Sequence, residues 1–198
     1  MDAITMLRQD HKEVERLFKR FEKAGPNAHV LKRDIVDRII KELSVHAAIE
    51  EQVFYPAIRE AVPDTDDEVL ESLEEHHIVK WTLSELDGMD PTHERFEPKT
   101  TVLMESVRHH VTEEETELFP QVRAALGRRQ LAELGEAMEA ARQVAPTRPH
   151  PKAPDTPPAN LVAGAGAAVL DKARSAVKTR ARAAKKKKTG AAAKKARS

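Results

Sequence analysis

Two stretches of the chain repeat one phrase, HAAIEEQVFYP at 46–56 and HVTEEETELFP at 110–120. Each holds a histidine, a glutamate four residues on, a second glutamate beside it, an aromatic, and a proline ten residues after the histidine. Two further histidines, His11 and His76, stand 35 and 34 residues ahead of His46 and His110. Each of them follows an acid, Asp10 and Glu75. Residues four apart on a helix lie one turn along and roughly 40° around the axis. His46 and Glu50 therefore face one point, as do His110 and Glu114. Imidazole and carboxylate in such a set suit iron or manganese.

The elements that must carry these residues are helices. Apolar residues recur at three- and four-residue intervals, without strict alternation. Ile4, Leu7, His11, Val14, Phe18 and Phe21 form one stripe, stopped by Gly25-Pro26. A second runs Ile35, Ile39, Leu43, His46, Glu50, Val53, Ala57 and ends near Pro63. A third runs Val69, Leu73, His76, Val79, Leu83, Leu86, closed by Gly88 and Pro91. The fourth holds Leu103, Val107, His110, Glu114 and Glu117 or Leu118, and Pro120 bends or ends it. A short fifth helix is expected over Arg128 to Gln143. The prediction is an all-α, antiparallel up-down four-helix bundle with one extra helix.

In such a bundle the histidines stand where leucines belong. Four inward positions, one per helix, hold imidazoles, and two more hold Glu50 and Glu114. Buried carboxylates need a partner or lose their charge. Lys80 is the one basic residue near these stripes, so a metal cluster is the simplest compensation. The doubled pattern reads as two related hairpins about a pseudo-twofold axis. One ion would take His11 and His46, the other His76 and His110, with Glu50 and Glu114 bridging. Glu51 and Glu115, each about 100° round from its neighbour, are expected as exposed carboxylates. His77 and His109 are expected as solvated or outer groups, and Tyr55 and Trp81 as packing residues. A second role for Tyr55 is a hydrogen bond to an oxygen species at the centre.

The order His, His-x-x-x-Glu, His, His-x-x-x-Glu, with FYP and LFP endings, resembles the hemerythrin-like (HHE cation-binding) domains over roughly residues 1–145. The resemblance implies a non-haem, oxo- or hydroxo-bridged pair of iron ions, with manganese the second choice. It also implies handling or sensing of dioxygen, peroxide or nitric oxide. The oxygen carriers of that family have a fifth histidine, one turn from another on the third helix. Here Ser72 and Lys80 flank His76 by one turn. The carriers also place an aspartate five residues after the last histidine, where this chain has Glu114 at four. These departures move the expectation from reversible carriage to redox chemistry, peroxide decomposition first, or to sensing.

The zero net charge conceals a division. From Ala145 onward fourteen Lys and Arg face only Asp155 and Asp171, a balance of 14 − 2 = +12, leaving −12 for the rest. The expected organisation is a domain over 1–145, a proline-rich spacer over 146–160 and a basic tail over 161–198, disordered in isolation. Lysine and arginine at 172–197 suit salt-sensitive, sequence-independent binding of nucleic acid phosphates. A scaffold role for the bundle in a nucleoid protein is the corresponding rival. The absence of cysteine excludes disulfides, thiol catalysis and iron–sulfur clusters. No stretch reads as a secretory signal or membrane span, so a cytoplasmic protein is expected.

Overall fold

The computed structural model describes residues 1–153, so the tail expected over 161–198 and the last seven residues of the spacer, 154–160, lie outside them. Seven α-helices follow in order: α1 (Ala3–Glu22), α2 (His29–Ile49), α3 (Tyr55–Ala61), α4 (Asp66–Leu86), α5 (Phe96–Glu113), α6 (Phe119–Ala125) and α7 (Arg128–Arg142). Asp2 starts α1 by accepting from the Thr5 amide at 3.0 Å, which satisfies one of the free donors of a helix start. Helix α1 packs on α2 and α4 on α5, giving the two hairpins that the spacing requires. Helix α7 lies across α1 and α2.

Pro56 and Pro120 do not end their helices. Each follows a single π-helical turn, Glu50–Phe54 and Glu114–Leu118. Proline lacks an N–H, so the carbonyl four residues earlier has no helical donor. The chain widens instead: the Tyr55 amide bonds the Glu50 carbonyl, and the Phe119 amide bonds the Glu114 carbonyl. The added residue advances the inward face by one position. Phe54, Tyr55 and Ile58 are buried, while Val53 and Ala57, expected on the stripe, are only half-buried. Leu118, Phe119 and Val122 repeat the shift in the second copy. π-Turns of this kind often mark functional sites.

The histidine layer separates two apolar layers. Toward one end pack Val14, Phe18, Ile39, Leu43, Val79 and Val107 with their neighbours. Toward the other pack Ile4, Leu7, Phe54, Tyr55, Leu73, Phe119, Leu131 and Met138. Trp81, expected in the packing, is instead half-exposed on α4. The first residues of the proline-rich stretch lie on the bundle. Ala145 is buried against Val45 and Ala48, and Arg148 pairs with Asp87.

Gly135 is where α7 meets the start of α1. A Cβ there would collide with the Met1 carbonyl and lie 2.9 Å from the Ala3 nitrogen. Gly→Ala inside a helix ordinarily adds about 1 kcal/mol of stability. Here we predict the opposite sign, a loss of about 1–3 kcal/mol from overpacking. Urea unfolding checks it; a gain in stability would contradict the close approach.

Candidate metal centre

All six residues read from the spacing as ligands converge on one buried point. His11, His46, His76 and His110 are each at most 6% exposed, and Glu50 and Glu114 are 0% and 1% exposed. His46 and Glu50, one turn apart, approach at 3.1 Å, and His110 and Glu114 at 3.5 Å. Each carboxylate also reaches the other hairpin. Glu50 Oε2 lies 3.4 Å from His76 Nε2, and Glu114 Oε2 lies 3.3 Å from His11 Nε2. His76 and His110 face each other through their Nε2 atoms at 3.1 Å. Two ligand groups result, His11, His46, Glu50, Glu114 and Glu50, His76, His110, sharing Glu50.

Five inner atoms of this cluster are left without hydrogen bonds. His11 Nε2, His46 Nε2, both oxygens of Glu50 and Glu114 Oε2 are buried and unpartnered. Unpaired buried groups cost about 1–3 kcal/mol each, more when charged. Nitrogen and oxygen donors left free at one point fit a pair of transition-metal ions.

The outer nitrogens are all engaged by carboxylates. His46 Nδ1 faces Asp10 and His110 Nδ1 faces Glu75, each within its own hairpin. His76 Nδ1 faces Glu51 and His11 Nδ1 faces Glu115, each across hairpins. This corrects the reading of Glu51 and Glu115 as surface groups. Glu51 is 6% exposed and bound by Lys80 at 2.7 and 2.9 Å; Glu115 is partly covered and holds His11 at 2.9 Å. The π-turns place them there, because the wider turn swings the second glutamate of each phrase inward. His77 and His109 are exposed, as expected.

Tyr55 does more than pack. Its hydroxyl donates to Glu114 Oε1 at 3.0 Å, and it lies 3.4 Å from His76 Nε2. The one-residue advance after Glu50 brings it in. Burial, followed by the charges of Glu114 and Glu50, raises the phenol well above its usual range, so it keeps its proton. Arg142, at the end of α7, went unmarked in the sequence; it grips Asp10 with two nitrogens at 2.6 and 3.1 Å. Its only signal was its place at the end of an amphipathic helix.

In the metal-free centre the two carboxylates divide their roles. Burial, then the charge of Glu114, raises Glu50 far above the carboxylate range. Burial pushes Glu114 the same way, but His110, His11 and His46 outweigh it and hold Glu114 low and ionised. Burial also drives His46 down to about 4 and lowers His76. For His110 burial acts the same way, and Glu114 and Glu75 overcome it and raise the ring.

Beside the imidazoles lies a cavity of about 20 Å³ with Val14, Leu43, Val79, Val107 and Val111 in its walls. That is room for a water-sized or diatomic molecule among apolar side chains.

Residues 2–122 match the family model described as hemerythrin HHE cation binding domain. The chain belongs to this family. The hemerythrin match ends before α7. Over 139 residues the chain is 32% identical to an uncharacterized hemerythrin-like protein of Schizosaccharomyces pombe, covering 70% of this chain and 68% of that one. A protein of Nostoc named DNA nickase is 27% identical over 142 residues, 72% of this chain but only 39% of its own length. The crystal structure of a hemerythrin HHE cation binding domain-containing protein from Mycobacterium kansasii shares the fold, with TM-score 0.61 and 24% identity, over 72% of this chain and 86% of that one. Among the described residues no helix is long and apolar enough to cross a membrane.

The buried pair of Glu51 and Lys80 in this hemerythrin domain gives a direct test. Lys80→Met keeps the stem and removes the charge, leaving Glu51 buried without its cation. Breaking such a pair costs about 3–5 kcal/mol. The metal-free variant should lose about that much in urea unfolding, and unchanged stability would contradict the pairing.

Proposed function

We propose that this is a cytoplasmic, non-haem di-iron protein that binds and turns over a small oxygen or nitrogen-oxide species, with hydrogen peroxide as the substrate. His11 and His46 would hold one iron and His76 and His110 the other, with Glu50 and Glu114 available to both. The observation that carries this reading is that each buried carboxylate lies against one histidine of each pair. That is the arrangement a bridge between two ions needs. When bound, the pair of ions supplies two-electron redox chemistry and Lewis acidity.

The chain's own residues do the rest. Glu75, Glu51 and Glu115 fix their imidazole rings and keep the proton on Nδ1, leaving Nε2 as the donor, while Asp10 faces His46 Nδ1 at 3.5 Å. Tyr55 holds Glu114 by its Oε1. Valine and leucine around the cavity limit it to small molecules and keep bulk water away, while the imidazoles in its wall offer polar partners. Ser72 and Lys80 stand one turn either side of His76, where a further imidazole would favour carriage. This favours turnover over reversible dioxygen storage.

Purified protein grown with ample iron should carry two irons per chain and absorb in the near ultraviolet as a bridged pair. It should release oxygen from peroxide, and His110→Ala should lose at least one iron and about 10²-fold or more of the rate. Two irons with rates equal in the two proteins would favour a sensor of iron, dioxygen or nitric oxide. A chain that takes up no iron, or only zinc, contradicts the di-iron reading.

A second role rests on charge. The balance of +12 beyond residue 144 favours association of residues 172–197 with nucleic acid phosphates. The similarity to a protein named DNA nickase is compatible with it. Full-length protein should bind duplex DNA with an affinity that falls linearly in log–log plots against salt, and truncation after residue 153 should abolish it. Salt-independent binding would contradict this electrostatic mode.

A further inference from the structure

The four outer hydrogen bonds are not equal, and their order has a physical cause. The imidazole-to-carboxylate distance is 2.7 Å for His110 and Glu75, and 2.9 Å for His11 and Glu115. It is 3.2 Å for His76 and Glu51, and 3.5 Å for His46 and Asp10. The cations on the far side of each carboxylate run the other way. Among the described residues Glu75 has no Lys or Arg ion pair, and Arg8 stands 3.7 Å from Glu115. Lys80 binds Glu51 at 2.7 Å, and Arg142 binds Asp10 at 2.6 Å. The closer the cation, the longer the bond to the histidine.

At Asp10 the competition is for a single atom. Oδ2 accepts from Arg142 at 2.6 Å and faces His46 Nδ1 at 3.5 Å, beyond a normal hydrogen bond. The guanidinium is held there by the docking of α7. Leu131 and Met138 are buried in the core, and Ala145 is buried on Val45 and Ala48. Helix α7 lies beyond residues 2–122, which match the family model. The equivalent acid of the second hairpin, Glu75, keeps its short bond to His110.

A carboxylate bonded to Nδ1–H makes an imidazole a better metal ligand and fixes its ring. We propose that Arg142 is a positioning residue that draws Asp10 off His46, making the His11–His46 position the more readily emptied of the two. This rests on the reading that the centre holds two ions. It implies that a chain can keep one ion at His76 and His110 while exchanging the other.

The test uses full-length iron-loaded protein challenged with excess chelator, followed by absorbance. Release should be biphasic, with the fast phase from the His11–His46 position. Arg142→Met should slow the fast phase about tenfold, as Asp10 closes on His46, and Asp10→Asn should speed it about tenfold. Arg142→Lys should behave as wild type. A merely structural contact would loosen the position in both Arg142→Met and Asp10→Asn, so a fast phase unchanged or quickened in Arg142→Met overturns the proposal. A second measurement needs no metal: the His46 Nδ1 proton resonance should move downfield in Arg142→Met, and an unmoved resonance also overturns it. If no iron loads, the di-iron reading fails, while this resonance still decides what Arg142 does to Asp10.

Discussion

Six ionisable side chains are buried at the middle of a helical bundle, and the rest of the structure follows from keeping them there. A buried carboxylate without a partner costs several kcal/mol or gives up its charge. The chain meets this cost on two levels. Inside, Glu50 and Glu114 lie among four imidazoles, with the proton kept on Glu50 and the charge on Glu114. Outside, every imidazole has its own carboxylate, and three of those carboxylates have a cation behind them, Arg8, Lys80 or Arg142.

Pseudo-twofold symmetry supplies these groups with little sequence. The acid before the first histidine of each hairpin holds the second histidine of the same hairpin. The second glutamate of each phrase crosses to the other hairpin. The second arrangement depends on the π-turns, and those depend on Pro56 and Pro120. One π-turn in each hairpin, just ahead of its proline, thus turns a helix face by one residue beside Glu51, Glu115 and Tyr55. The symmetry is broken by α7, which packs on α1 and α2 and puts Arg142 on Asp10.

Much of the centre was legible because ligands on a helix obey its period. His46 with Glu50 and His110 with Glu114 could be placed on one face by spacing alone, and His11 and His76 by their matched distances. The helices were legible for the same reason, through their apolar stripes and Gly-Pro stops. What was hidden depends on departures from that period. A regular helix puts Val53 and Ala57 inward and leaves Glu51 and Glu115 outside; the π-turn reverses this. Arg142 was hidden for another reason. Its contact with Asp10 spans 132 residues, and no local pattern announces a docking of that range. Trp81 shows the converse, a large apolar residue that a stripe reading buries and the bundle leaves half-exposed.

The central claim is that Glu50 and Glu114 tie two ions together across the two hairpins. Anomalous diffraction at the iron edge from crystals of iron-loaded protein tests it most directly. The account predicts two adjacent peaks, one against His11 and His46 and one against His76 and His110, with both carboxylates touching both. A single peak, or two peaks with either carboxylate confined to one of them, would contradict it.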